Sequence, residues 1–150
     1  MKSTMTEKQK VKKIEERFEL IKMKYPEMAH ARLEWSNRMT ATLGRAWPNR
    51  INGHHLIKLS LPYLRLNEYA ETEETLLHEA AHCIADTRHK ARCMHDRRWK
   101  AVCVEIGCRP QRCAPPDVKR PPRCARRRTY SRRMTLWAKV IRYIKAGKIK

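Results

Sequence analysis

The five residues His78-Glu79-Ala80-Ala81-His82 restrict the fold of this 150-residue chain more than any other stretch. On an α-helix, side chains four positions apart stand about 6 Å apart along the axis and share nearly one face. The surrounding residues read as helix. Leu76, Leu77, Ala80, Ala81 and Ile84 supply buried faces, Thr72 can cap the start, and Glu73 and Glu74 fall in the first turn. A helix is therefore expected over residues 71–86. Apolar and small neighbours turn the two histidines inward, where two imidazoles and a carboxylate without partners would be costly. A metal ion shared by His78 and His82 removes that cost. Glu79 lies about 100° further round the helix and reaches a water beside the ion rather than the ion itself. Zinc lowers the pKa of such a water, and a carboxylate can take its proton as it attacks a carbonyl and then hand it to the leaving amine. The spacing points to one zinc ion and peptide-bond hydrolysis, with Glu79 as the base.

A catalytic zinc takes three protein ligands and keeps one position open. His89, Cys93 and His95 follow the helix; His30, His54 and His55 precede it. The metzincin arrangement needs a glycine three residues and a histidine six residues after His82, where this chain has Ala85 and Arg88. A glutamate ligand from the next helix would have to be Glu105, which lacks the expected neighbours. His54 and His55 open a strand and are expected at the surface, and His89 falls in a loop. His95 stands beside a helix cap, where a short returning loop can bring it under the first helix.

The rest of the chain reads as α+β. Val11, Ile14, Phe18, Ile21 and Tyr25 recur at helical spacing within residues 6–29, and Pro26 marks the end. Residues 31–60 suggest two or three short antiparallel strands, including Thr40–Leu43 and His54–Ser60, with turn residues over Trp47–Gly53. A loop is expected over Asp86–Met94. Asp96 then caps a helix to about Ile106, with Gly107 as its stop. Five prolines between Pro110 and Pro122 exclude regular helix. Met134, Trp137, Ala138, Ile141 and Ile144 form the apolar stripe of a basic C-terminal helix.

The charge is lopsided. Residues 1–87 carry 14 basic and 12 acidic side chains, whereas residues 88–150 carry 21 and 3. Such a segment attracts a polyanion, nucleic acid being the commonest. Arg120, Arg123, Arg126, Arg127, Arg128, Arg132 and Arg133 are the expected phosphate contacts, giving sequence-independent affinity for single- or double-stranded DNA. The six cysteines include no CxxC pair. They are read as reduced thiols that are buried or incidental, a second zinc on Cys108, Cys113 and Cys124 being the alternative. No apolar run is long enough for a membrane span, and the charged N-terminal stretch lacks the apolar core of a secretory signal. A monomer without membrane contact is expected, intracellular and associated with DNA in cytoplasm, nucleoid or nucleus.

Leu76-Leu-His-Glu-Ala-Ala-His82 followed by His95-Asp-Arg-Arg-Trp99 resembles the SprT-like domain of Spartan-type proteases. Leu43-Gly-Arg-Ala-Trp47 and Ile57-Lys-Leu-Ser60 resemble that family's strand pair, and Ile106–Cys113 its closing loop. The likeness covers about residues 7–118. It implies a zincin-like minimal metalloprotease domain: N-terminal helix, small antiparallel sheet, HExxH helix and third-ligand helix. It implies zinc on His78, His82 and His95, Glu79 as catalytic base, and cleavage of proteins bound or crosslinked to DNA. Two departures stand out. Asp96 replaces the family's glycine after the third histidine, and the zinc ribbon of many members gives way to a Pro- and Arg-rich segment. The chain thus divides into a protease domain, 1–118, and a basic tail, 119–150. Two other readings remain: a DNA- or RNA-binding adaptor whose zinc is only structural, for which an intact Glu79 has no use, and a metalloprotease with a target unrelated to DNA.

Overall fold

The computed structural model describes residues 5–122. The C-terminal helix expected around Trp137, Cys124, and Arg123 through Arg133 lie outside the described residues. Helix α1 (Glu7–Lys24) opens on a capping box: the Thr6 hydroxyl accepts from the Gln9 amide, and the Gln9 side chain accepts from the Thr6 amide. Its inner face carries Ile14, Phe18 and Ile21, and it ends at Tyr25, where Pro26 begins a single 3-10 turn to Met28.

Three strands follow: β1 (Arg32–Ser36), β2 (Gly44–Trp47) and β3 (Leu56–Ser60). The sheet has the order β1-β3-β2 and is mixed: β2 pairs antiparallel with β3, whereas β1 runs parallel to it. The expectation of an all-antiparallel sheet is therefore corrected. Alternation of side chains shows which residues face inward but is the same for either strand direction, so the sequence pattern could not decide it. The second strand also lies just downstream of Thr40–Leu43. Central β3 sends Ile57 and Leu59 into the core, while Lys58 pairs with Glu34 across the β1 register at 2.8 Å.

Ser60 ends β3 and caps α2 (Leu61–Leu66), accepting from the Tyr63 amide with Pro62 in the first turn. This one-and-a-half-turn helix is too short to leave a periodic signal. Helix α3 (Tyr69–His89) is longer than the expected 71–86. Thr72 is buried inside it rather than capping it, and Glu68 is the N-cap. At the other end Thr87 bonds back to the Cys83 carbonyl, and the Arg88 guanidinium joins Glu27 to Glu105. These contacts carry the helix on to Lys90, which turns it off in the left-handed region. Helix α4 (Arg97–Ile106) begins where expected, with the Asp96 carboxylate accepting from the Arg98 and Trp99 amides, and stops at Gly107 with φ +86°. The core lies between α1, α3, α4 and the inner face of β3, and Ile14, Met28, Ile57, Leu76, Ile84 and Trp99 are fully covered. Among the described residues no helix is long and apolar enough to cross a membrane.

His55, expected at the surface, is 1% exposed. Its Nδ1 accepts from the Asn49 amide at 2.8 Å, so the neutral ring carries its proton on Nε2, which faces the Glu27 carbonyl at 3.0 Å. The ring thereby ties the β2–β3 loop to the turn after α1. Burial lowers its pKa from the ordinary 6.5, against the opposing pull of the Glu27 carbonyl and Asp86. The unfolded chain therefore takes up this proton first. Stability contributed by His55 is full above pH 6.5 and is lost as pH falls below it. A His55→Phe variant is expected to lose roughly 2–4 kcal/mol at neutral pH through its orphaned partners. Its melting temperature should also fall less steeply on acidification than that of the native chain, both measured calorimetrically with chelator. Parallel pH profiles would count against this role.

Candidate metal centre

His78 and His82 project from one face of α3. His95 reaches them from the loop between α3 and α4, which is folded back by Asp86. That buried carboxylate accepts from the Cys93 amide at 2.8 Å, and the Asp96 amide bonds to the Cys93 carbonyl at 3.0 Å. Met94 takes φ +47° to complete the reversal. As a result, Nε2 of His95 lies 3.2 Å from Nε2 of His82 and 3.2 Å from Nε2 of His78.

Three imidazole nitrogens this close make a poor hydrogen-bonding cluster, because each neutral ring has one donor and one acceptor. They make a good ligand set. Zinc–nitrogen bonds of 2.0–2.1 Å in a tetrahedron imply nitrogens about 3.3 Å apart. Burial, reinforced by the neighbouring imidazoles, lowers the pKa of His78 to about 4 and that of His82 to about 3. Burial also lowers that of His95, with Arg112 adding to the effect. All three rings are therefore neutral at pH 7, as metal ligation requires. The cluster could hold one metal ion.

The rings rest on Trp99. Its indole is fully buried, with centroids 4.8 Å from His78, 5.2 Å from His82 and 4.6 Å from His95. A single aromatic plate thus limits the orientation of all three side chains. Asp96, which stands where the resembled family has glycine, fixes both this plate and His95 by capping α4.

Glu79 faces the other side of α3, against β2. Burial pushes its carboxyl up to about 7, opposed by a hydrogen bond from the Ala46 backbone and by the nearby Arg45 charge. The close approach of β2 depends on Gly44. A Cβ there would lie 2.8 Å from Thr75 Cγ2, 3.0 Å from Leu59 Cδ2 and 3.1 Å from Glu79 Cγ. Glycine inside a strand signals a close backbone approach, and that signal was present in the sequence.

Glu79 and the triad open into a cleft of about 540 Å³. Its walls are α3, the edge strand β2 with the preceding loop, the α3–α4 loop, and a strap formed by residues 109–120. The strap is held down at both ends. The Arg109 amide donates to Glu74 at 2.6 Å and its guanidinium meets Glu71 and Glu74 at 3.3 Å; Asn67 exchanges two hydrogen bonds with the Lys119 backbone. Sequence reading missed this wall, since contacts between residues more than 50 positions apart leave no local pattern.

The other candidates are elsewhere. His89 is exposed at the end of α3, and His55 holds the loop described above. His30 and His54 stack on each other with centroids 5.2 Å apart. The Cys93 thiol points at the Ala85 and Ala91 carbonyls, and Glu105 pairs with Arg88. Cys108 is buried and Cys113 exposed. Of the expected phosphate contacts only Arg120 is among the described residues, exposed on the cleft wall.

The family model described as SprT-like matches residues 8–120. The chain belongs to the SprT-like family. No curated protein matches it. Membership accounts for a metalloprotease-type arrangement: the family match spans α1 through the strap, the same residues that assemble the triad and the cleft.

Two results are expected of this SprT-like domain. Purified native protein should carry about one zinc per chain by elemental analysis, and His95→Ala should bind it on the order of 100-fold more weakly, with Trp99→Leu falling about 10- to 100-fold. Unchanged zinc affinity in His95→Ala would remove it from the ligand set. Gly44→Ala should lose about 1–3 kcal/mol in chemical denaturation because β2 must move off α3. Native-like stability in that variant would refute the tight contact.

Proposed function

We propose that this chain is a zinc-dependent endopeptidase that acts on DNA-bound or DNA-crosslinked proteins. The observation that carries the reading is the convergence of three neutral imidazoles on one point, with a buried carboxylate on the same helix and an open cleft beside an edge strand. Zinc bound there would supply Lewis acidity to a peptide carbonyl and lower the pKa of water.

The chain's own residues do the rest. His78, His82 and His95 would hold the ion, oriented by the Trp99 ring. Among the described strands β2 is at the sheet edge, so an extended peptide can add to its free side and lay a carbonyl over the triad. Glu79 takes the proton of the attacking water on a carboxylate oxygen and delivers it to the departing amine nitrogen. The Ala46 backbone steadies that carboxylate. The +20 formal charge, concentrated after residue 87, supports DNA as the surface on which substrates are met. An adaptor with a merely structural zinc would have no use for Glu79 or for an open cleft.

Glu79→Gln should keep its zinc and its affinity for DNA. It should cut a protein crosslinked to an oligonucleotide at least about 100-fold more slowly, as expected for loss of a general base. The readouts are gel-resolved cleavage, elemental analysis, and DNA titration at several salt concentrations. Equal cleavage by the two proteins would overturn the enzymatic reading. DNA affinity that does not weaken with salt would overturn the phosphate-contact reading.

A further inference from the structure

The cleft is lined by more positive charge than its acids neutralise. Arg45 enters from β2, Arg92 from the loop before His95, and Arg112 and Arg120 from the strap. All four side chains are exposed, and among the described residues none has a carboxylate partner. The cleft's own acids are engaged elsewhere. Glu71 and Glu74 are held by Arg109, and Asp86 is buried on the Cys93 amide. Glu79 is left as the one acid at the reacting end.

These guanidiniums stand close to the chemistry. Beyond the burial that dominates each site, the charge of Arg45 favours ionised Glu79, while those of Arg92 and Arg112 disfavour protonation of His82 and His95. They come from different walls and surround the opening, whereas a surface for duplex nucleic acid would present them as a stripe along one side. A duplex is also too wide to enter a cleft of about 540 Å³. An extended peptide fits, and its side chains alternate toward opposite walls. Guanidinium pairs preferentially with carboxylate, in a two-pronged geometry that lysine cannot offer.

We infer that the cleft selects peptide segments with aspartate or glutamate beside the scissile bond, bound by Arg45, Arg92 and Arg112, and disfavours lysine- and arginine-rich segments. This deepens the peptidase reading above and rests on it.

The test uses full-length, zinc-loaded protein carrying Glu79→Gln, so that binding is read without cleavage. Two labelled peptides of equal length, capped at both ends, differ only in having glutamate or lysine around a central apolar pair. The glutamate peptide should bind about tenfold more tightly by fluorescence anisotropy, with the gap narrowing as salt rises. Because the basic tail can also attract acidic peptides, the deciding comparison is with Arg92→Glu/Arg112→Glu, in which the tail is intact. There the preference should vanish or reverse while affinity for a single-stranded oligonucleotide is retained. Equal affinity for the two peptides would overturn the proposal, as would a glutamate preference that survives the charge reversal. Loss of oligonucleotide binding with no change in peptide preference would assign the rim to phosphates instead and overturn it equally. Rim-dependent preference supports the proposal even if the native enzyme leaves both peptides whole, an outcome that counts against the peptidase reading alone.

Discussion

Three imidazoles and a carboxylate must be held around one point without water to satisfy them, and most of the fold follows from meeting that demand. The nitrogens of His78, His82 and His95 sit within 4.8 Å of one another. Neutral rings so placed have no complete hydrogen-bonding solution among themselves, which is why a metal ion is the natural occupant. The scaffold around them is rigid where it needs to be. Trp99 is fully buried beneath all three rings, Asp86 anchors the loop that carries His95, and Asp96 caps α4 so that His95 and Trp99 move as a unit. Each of these contacts removes a rotation that would spread the ligand atoms apart.

The second organising element is the close packing of β2 against α3. Gly44 lets the strand approach until its backbone meets the Glu79 side chain, which both buries the carboxylate and gives it a hydrogen bond. The same strand forms one edge of the cleft. A base, a peptide-binding edge and a ligand helix are thus brought together by the absence of one methyl group. The strap closes the opposite wall and leads into the basic C-terminal segment, so the charge excess begins at the mouth of the cleft itself. Arg112 and Arg120 belong to both regions, which links the electrostatics of the site to those of the tail.

Much of this was legible beforehand. α1 and α4 announced themselves through apolar periodicity and their caps, and Asp96 and Gly107 do what their residue types dictate. The motif on α3 named two ligands and the base from helical geometry alone, although its ends were misjudged: Thr72 looked like a cap but is packed inside the helix, and Arg88 extends it through ion pairs to Glu27 and Glu105. His55 was misread because a histidine in a strand opening is ordinarily solvated. Here its two ring nitrogens find backbone partners from the β2–β3 loop and the turn after α1. Helix α2 was invisible, as six residues give no period to detect.

What the sequence determined by itself was local: the helical spacing that aligns His78 with His82, the caps that start and stop α4, and the segregation of charge. What only the tertiary structure decided was non-local. It made β1 parallel to β3, because side-chain alternation carries no information about direction. It brought His95 rather than His89, Cys93 or an upstream histidine to the metal centre, because loop reversal depends on a distant buried carboxylate. It built a cleft wall from the strap, because Asn67 and Lys119 are 52 residues apart and nothing in the local chain predicts their meeting. Local periodicity encodes faces and ends; which faces meet is settled only when the whole chain packs.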